Sequence, residues 1–183
     1  MNNKWARQYA IIMFIILAIY FIVNIVGNSA TLQQREFAQL VLKMSYEAKE
    51  TTGLPASIVA AQCILESGWG EHSIANNYFG IKSDGTQPYV LSLTWEYDNN
   101  AKSYYRKVAK FRKYDSLLES LIDYGNFIYE NPRYAKAIAD RLNPVRYIQE
   151  IWKAGYATSP SYVRKILDIA EMCKFLTVSK WKK

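Results

Sequence analysis

Hydrophobic residues recur at intervals of three and four along most of the chain after residue 30, which is the spacing of amphipathic helices. This spacing is interrupted at glycine and proline residues, for example at Gly53, Pro55 and Gly155. The pattern predicts five principal helices, at residues 31–53, 55–66, 116–128, 144–155 and 160–173.

Capping residues support these helix starts. Thr31 with Gln34, and Ser116 (or Asp115) with Glu119, have the spacing of capping boxes. Three further pairs combine a capping residue with a proline, which is favoured at the first helical position. These pairs are Asn131-Pro132, Asn143-Pro144 and Ser159-Pro160.

The period changes to two between Tyr89 and Tyr97, where the sequence YVLSLTWEY alternates. Leu91, Leu93 and Trp95 fall on one face, and the intervening serine, threonine and glutamate fall on the other. Residues 98–100 read as a turn and residues 104–114 as a returning strand. The predicted fold is therefore mainly α (α+β), with a small β-hairpin inside one helical domain.

The N-terminal residues differ from the rest of the chain. Residues 9–26 are apolar except for Asn24 and follow Lys4 and Arg7. Their length lies between that of a membrane span and that of a long signal-peptide core. We expect residues 1–30 to be a short cytoplasmic stub with an uncleaved single-pass anchor. The alternative is a signal that is cleaved before secretion. Both place residues 31–183 outside the cytoplasm.

The charge of this second region restricts its partners. Lys4 and Arg7 are the only charged residues before residue 31. Residues 31–183 therefore contain 21 of the 23 basic residues and all 16 acidic residues, which gives a net charge of +5. Basic residues concentrate at 104–114. A basic exported domain is attracted to anionic lipid headgroups or wall polymers. No nucleic-acid motif is present, so a nucleic-acid partner is not expected.

Few residue types remain for chemistry. Cys63 and Cys173 lie in apolar helical patterns, which favours two buried thiols over a disulfide. With His72 as the single histidine, neither a metal site nor a histidine-based triad is predicted. No cofactor is expected. The candidates for catalysis are therefore carboxylates and tyrosines.

Glu66 has the most unusual position among the carboxylates. It follows Ile58, Gln62 and Leu65 on one stripe of its helix and precedes the turn Ser-Gly-Trp-Gly. Partial burial and the negative end of the helix dipole both raise the pKa of a carboxyl in this position. A carboxyl that stays protonated near neutral pH is suited to act as a general acid, whereas a surface role is the ordinary alternative.

Protonation of a glycosidic oxygen usually needs a second carboxylate nearby. Glu96 lies on the polar face of the first predicted strand and is our first candidate. Asp84 and Asp98 are competitors in the neighbouring loops.

Three motifs in the same order resemble glycoside hydrolase family 73, the bacterial endo-β-N-acetylglucosaminidases that cut peptidoglycan. The first is AAQCILESGWGEHSIANNYFGIK at residues 60–82. The middle block is TWEYDN with FRKYDSLLESLIDY, and the late block is AGYATSPSY. The resemblance extends from about residue 50 to residue 170. It departs from the family at Ser159, where aspartate is common, and in a shorter segment between residues 69 and 76.

The resemblance implies a lysozyme-like helical fold with the β-hairpin lobe over an active-site groove. It implies Glu66 as the general acid, Glu96 as the second acidic residue and Tyr156 in substrate positioning or stabilisation. It also implies a groove that binds glycan strands of peptidoglycan, in a catalytic domain expected to be monomeric. The substrate-binding candidates are Trp69, Asn77, Tyr78, Phe79, Lys82 and Tyr124.

Three alternatives remain open at this point. A lytic transglycosylase or an N-acetylmuramidase would use the same fold and a similar carboxyl. A membrane-anchored protein that binds the wall without cutting it would use the same groove.

Overall fold

The computed structural model describes residues 31–98 and 102–175. Six α-helices, one 3-10 turn and a two-stranded antiparallel sheet form within these residues, so the predicted mainly helical fold with a small β-hairpin is confirmed. The elements, in order, are α1 (Leu32–Thr52), α2 (Ala56–Glu66), β1 (Tyr89–Asp98), β2 (Ser103–Arg112), α3 (Leu117–Glu130), the 3-10 turn (Pro132–Tyr134), α4 (Ala135–Ala139), α5 (Pro144–Lys153) and α6 (Tyr162–Met172).

Helix α2 lies at the centre of the core. Every residue from Ala56 to Ile64 is buried, and the helix packs against α5 and α6. Its interior side chains belong to one hydrophobic cluster with Tyr124 of α3, Tyr147 of α5 and Ile166 of α6. Because the helix is enclosed along most of its length, its last residue is placed by the whole core.

The helix starts largely follow the capping pattern. Thr31 and Gln34 form a reciprocal capping box, in which each side chain accepts a hydrogen bond from the other residue's backbone N–H. The Ser116 hydroxyl accepts from the Glu119 N–H, and the Asn143 side chain accepts from the Arg146 N–H.

Two proline pairs do not start helices as predicted. Pro132 opens the 3-10 turn rather than an α-helix. Helix α6 begins at Tyr162, two residues after Pro160. Ser159 is held in the preceding loop, because its carbonyl accepts from the Trp152 indole N–H at 2.9 Å and its hydroxyl lies 2.9 Å from that of Ser161. These bonds delay the helix.

The β-hairpin has its apolar face toward solvent. Trp95 pairs with Arg106, Leu93 with Val108 and Leu91 with Lys110. Leu91, Leu93 and Trp95 are exposed, whereas Ser92 and Thr94, on the opposite face of β1, are partly covered. This arrangement is the reverse of an ordinary half-buried hairpin.

The loop before the hairpin holds the base of β2. The Asn77 amide donates to the carbonyls of Ile81 and Arg112, both at 2.9 Å, and the Asn76 amide donates to the Tyr114 carbonyl at 3.0 Å. On the other side, Arg112 Nη1 lies 2.7 Å from Asp123 Oδ2 of α3. The hairpin is therefore attached to the helical part at its base.

The predicted membrane span at residues 9–26 lies outside the described residues. Within the part of the chain that the structure describes, no helix is long and apolar enough to cross a bilayer.

Thr52, the last residue of α1, lies close to Gly125 of α3. A Cβ atom at Gly125 would overlap the side chain of Thr52, whose hydroxyl is held by the Ala48 carbonyl at 2.9 Å. We expect Gly125→Ala to lower the free energy of unfolding by about 1–3 kcal/mol, although alanine favours helices. Urea denaturation measures this change. The matched variant Asn126→Ala, at the exposed neighbouring position, is expected to be near neutral. A stabilised Gly125→Ala variant would contradict the packing.

Candidate active site

Glu66 is the last residue of α2, as predicted, and the chain turns sharply after it. Gly68, Trp69 and Gly70 all have positive φ angles, of 55°, 63° and 86°. A Cβ atom at Gly68 would lie 2.6 Å from the His72 ring, and one at Gly70 would lie 2.8 Å from the Phe37 ring. The glycines are therefore required both by the left-handed backbone and by the close packing, and the turn leaves Glu66 at a cavity.

A chain of buried hydrogen bonds leads from the core to the Glu66 carboxyl. The Tyr124 hydroxyl donates to Gln62 Oε1 at 2.9 Å, and Gln62 Nε2 donates to the Tyr162 hydroxyl at 3.1 Å. The Tyr162 hydroxyl in turn donates to Glu66 Oε1 at 2.8 Å. Behind Tyr124, the Tyr147 hydroxyl lies 3.4 Å away. Gln62, Tyr124, Tyr147 and Tyr162 are almost fully buried, so this chain is rigidly placed.

The direction of this chain determines the role of each Glu66 oxygen. The Gln62 amide has one donor side and one acceptor side, and Tyr124 occupies the acceptor side. The Gln62 amide N–H therefore donates to the Tyr162 oxygen, which acts as the acceptor in that bond. The Tyr162 O–H is then the donor to Glu66 Oε1. Because Oε1 accepts this hydrogen bond, we assign the acidic proton of Glu66 to Oε2.

Burial raises the pKa of the Glu66 carboxyl above its usual range, and the hydrogen bond from Tyr162 opposes this by stabilising the anion. Glu66 nevertheless retains exposed surface, since one side of the residue opens into the cavity. The surrounding protein desolvates the carboxyl, and the open side of the residue limits this effect. A raised pKa favours the protonated form of the carboxyl, which is the form that a general acid needs.

The cavity beside Glu66 has a volume of about 550 Å³, and four of its nine lining residues are aromatic. The Tyr156 ring is partly exposed in it and packs edge-on against Tyr124, with ring centroids 6.1 Å apart. Phe79 stacks on Tyr124 at 4.2 Å and shows a small exposed edge to the cavity. Burial and then the charge of Glu66 raise the pKa of Tyr156, so Tyr156 remains a neutral hydroxyl.

Two cations also line the cavity. Lys82 follows Phe79 on the same wall, and Arg133 lies over the Tyr134 ring, 4.6 Å from its centroid. Both side chains are exposed. The cavity therefore combines one carboxyl whose pKa is raised, several aromatic side chains and positive charge.

The structure brings four predicted site residues together at this cavity: Glu66, Phe79, Lys82 and Tyr156. It places four others elsewhere. Tyr124 has no exposed surface and supports the site from the core, so it cannot stack on a sugar here. Asn77 is buried and holds the base of the hairpin. Tyr78 packs near Phe37, and Trp69 forms the turn; neither lines the cavity.

Glu96 lies in β1, opposite Tyr105. Its side chain is outside what the structure describes, so its role as the second acidic residue stays a prediction.

Several residues of the site were not predicted. Gln62 and Tyr162 position Glu66, while Phe127, Arg133 and Tyr134 line the cavity. The sequence could have indicated Gln62, because it is a polar residue on the apolar stripe of α2. No sequence pattern indicates Arg133 and Tyr134, since their approach to Glu66 depends on tertiary packing. Among the described residues, no group of three or more His, Cys, Asp or Glu side chains could hold a metal ion.

Comparison with known proteins identifies the family. Residues 42–175 match the glucosaminidase family, described as mannosyl-glycoprotein endo-beta-N-acetylglucosaminidase. The chain is 37% identical over 155 residues to the peptidoglycan hydrolase FlgJ of Pseudomonas aeruginosa, covering 79% of this chain and 38% of that protein. It is 34% identical over 122 residues to the exo-glucosaminidase LytG of Bacillus subtilis, covering 63% of this chain and 43% of LytG. The chain thus spans less than half the length of these curated relatives.

The solved structures agree with the sequence match. A truncated glycoside hydrolase domain of FlgJ from Salmonella typhimurium superposes with a TM-score of 0.64 at 33% identity, covering 79% of this chain and 99% of that domain. This similarity confirms the expected lysozyme-like glycoside hydrolase fold. The chain belongs to the glucosaminidase family of glycoside hydrolases.

Proposed function

We propose that this protein hydrolyses the β-1,4 bond between N-acetylglucosamine and N-acetylmuramic acid in peptidoglycan, with Glu66 as the general acid. The observation that carries the proposal is the position of Glu66 in the aromatic cavity, with its pKa raised by burial. Membership of the glucosaminidase family and similarity to peptidoglycan hydrolases support the choice of substrate.

In the proposed reaction, Glu66 transfers its Oε2 proton to the glycosidic oxygen as the bond to the sugar carbon breaks. The carboxyl gains negative charge in this step, and the Tyr162 hydroxyl bond to Oε1 stabilises that charge. Glu96 is the proposed second acidic residue, which would stabilise the oxocarbenium-like transition state or activate water.

The cavity wall supports glycan binding. Tyr156 is partly exposed and Phe79 shows a ring edge beside Glu66, and such ring surfaces suit the apolar faces of sugar rings. Lys82 and Arg133 add positive charge, which favours an anionic wall polymer carrying peptide carboxylates.

Replacing Arg133 tests whether positive charge at the cavity contributes to peptidoglycan binding. We expect Arg133→Ala to raise KM for peptidoglycan about two- to fivefold at low salt with little change in kcat, since an exposed charge contributes up to about 1 kcal/mol. The matched control Lys136→Ala removes an exposed cation that does not line the cavity, and KM should not change. Steady-state turbidity assays at two salt concentrations measure both. Equal effects of the two variants would indicate a general charge effect and contradict a specific contact.

The test of the reaction is the identity of the sugar at the new reducing end. The full chain should release fragments ending in reducing N-acetylglucosamine from purified peptidoglycan. Reducing N-acetylmuramic acid would indicate a muramidase, and an anhydro sugar would indicate a lytic transglycosylase. Binding of peptidoglycan by both the parent and Glu66→Gln, with no cleavage by either, would favour a wall-binding protein. Glu96→Gln in the same assay tests the second carboxylate.

We also propose that residues 1–30 anchor the protein in the cell membrane as a single-pass segment, with a monomeric catalytic domain on the wall side. The apolar run at residues 9–26 after Lys4 and Arg7 supports this orientation. Such an anchor would confine cleavage to local wall remodelling near the membrane. Mature protein found free in the culture medium, rather than in the membrane fraction, would favour a cleaved signal and contradict the anchor.

A further inference from the structure

We infer that the outer face of the β-hairpin docks on the surface of an anionic lipid bilayer. This outer face consists of Leu91, Leu93 and Trp95 of β1 with Val108 of β2. Their side chains are 65%, 57%, 64% and 55% exposed. Four large apolar side chains grouped on one face are unusual for a surface in contact only with water, and such patches mark interaction sites.

The outer face is distinct from the glycan cavity. None of its four residues lines the cavity beside Glu66. Ser92 and Thr94 lie on the opposite face of β1 and are partly covered, whereas the apolar residues of the outer face are exposed. The proposed reaction therefore leaves this surface unexplained.

Positive charge accompanies the apolar residues on the same face. Arg106 pairs with Trp95 across the strands and lies 5.8 Å from the centre of its ring. Lys110 pairs with Leu91 and lies 4.6 Å from the centre of the Tyr89 ring. The acidic residues of β1 occupy the alternate positions 96 and 98. Aliphatic, aromatic and cationic side chains on one face are the composition that anionic membrane interfaces attract.

This composition favours lipid over the other possible occupants. Aliphatic side chains such as Leu91 and Leu93 gain nothing from a polyanionic wall polymer, which has no apolar phase to receive them. Lysine is depleted at protein–protein interfaces, whereas anionic headgroups attract each nearby lysine or arginine. A bilayer contacts the apolar side chains of the outer face with its interior and the cationic side chains with its headgroups.

The short segment before the domain would hold the start of α1 close to a bilayer. The apolar run ends at Val26 and α1 begins at Leu32, so the five residues between them span at most about 18 Å. This step rests on the proposed anchor, because only an uncleaved segment holds the domain at the membrane. Docking of the outer face would then limit the orientations in which the groove meets the wall.

A local fluorescent probe in the full chain tests the docking. Leu93→Cys, in a background of Cys173→Ser, is labelled with an environment-sensitive dye, since the other native thiol, Cys63, is buried and inaccessible. The matched control Ser92→Cys places the dye on the opposite face of β1. The labelled proteins are incorporated into nanodiscs of phosphatidylglycerol with phosphatidylcholine, or of phosphatidylcholine alone.

The inference predicts a blue-shifted emission from position 93 in the anionic discs, a smaller shift in zwitterionic discs or at high salt, and little shift from position 92. Co-migration with the discs but equal emission from both positions would overturn the docking and leave the anchor intact. Failure to co-migrate with anionic discs would overturn both. If the emission from position 93 also shifts to the blue in detergent without discs, at high protein concentration, the outer face contacts a second copy of the chain. That result would overturn the lipid assignment. Cleavage of soluble glycan fragments by the Leu93→Cys protein reports on the proposed reaction separately.

Discussion

Replacing Glu66 with glutamine is expected to reduce the rate of peptidoglycan cleavage by about 10²- to 10⁴-fold, the usual contribution of a general acid. Glutamine has nearly the same shape, and its carbonyl can still accept the Tyr162 hydroxyl, so the hydrogen-bond chain remains. It cannot release a proton to the glycosidic oxygen. The measurement is the initial rate of fragment release, with binding to insoluble peptidoglycan measured in parallel.

Stability distinguishes a chemical effect from misfolding. Burial raises the folded-state pKa of Glu66, so its ionisation costs stability as the pH rises through that pKa. Removing the charge should therefore leave the Tm unchanged or higher above this pH. Glu71→Gln is the matched control, because Glu71 is exposed just beyond the turn. An active Glu66→Gln protein with a normal Tm would contradict the assignment.

Replacing Tyr162 with phenylalanine is expected to have the second largest effect. The change removes the hydroxyl that donates to Glu66 and leaves the buried Gln62 Nε2 without its acceptor. An unsatisfied buried donor costs about 1–3 kcal/mol of stability. The lost bond also supported the carboxylate that forms as the proton leaves. A hydrogen bond to a charged group is worth about 1.5–3 kcal/mol, so kcat/KM should fall by roughly 10- to 100-fold.

The pH profile separates positioning from simple destabilisation. The Tyr162 bond lowers the pKa of Glu66, so its removal raises that pKa further. Because the protonated acid is the active form, the basic limb of kcat/KM should move to higher pH. Tyr129→Phe is the control, since it loses a comparable bond, to the Thr52 carbonyl at 2.9 Å, away from the site. If the pH profile of Tyr162→Phe is unshifted, Tyr162 does not tune the pKa of Glu66 and has only a structural role.

The position of Glu66 could be predicted because it depends on local pattern. Its stripe on α2 and the Gly-Trp-Gly turn are both contiguous in the sequence, and both appear in the structure. The alternation of residues 89–97 predicted the hairpin for the same reason.

Residues whose roles depend on tertiary contacts were harder to predict. Tyr124 and Asn77 occur in sequence motifs of the groove, yet one is enclosed by the core and the other holds the base of β2. Tyr162 reaches Glu66 across 96 positions of sequence, which no periodicity can show. The start of α6 was misplaced because the Ser159 hydroxyl bonds with that of Ser161, which competes with a capping role for Ser159.

The proposed reaction requires Glu66 to hold its proton until the glycosidic oxygen takes it. The direct measurement is a titration of the ¹³C carboxyl signal of Glu66 in the full chain, assigned by its absence from Glu66→Gln. If Glu66 is the general acid, the midpoint lies clearly above about 4.3, the ordinary value for glutamate, and coincides with the basic limb of kcat/KM. A midpoint at or below the ordinary value, or a basic limb that does not follow it, would contradict the role of Glu66 as the general acid.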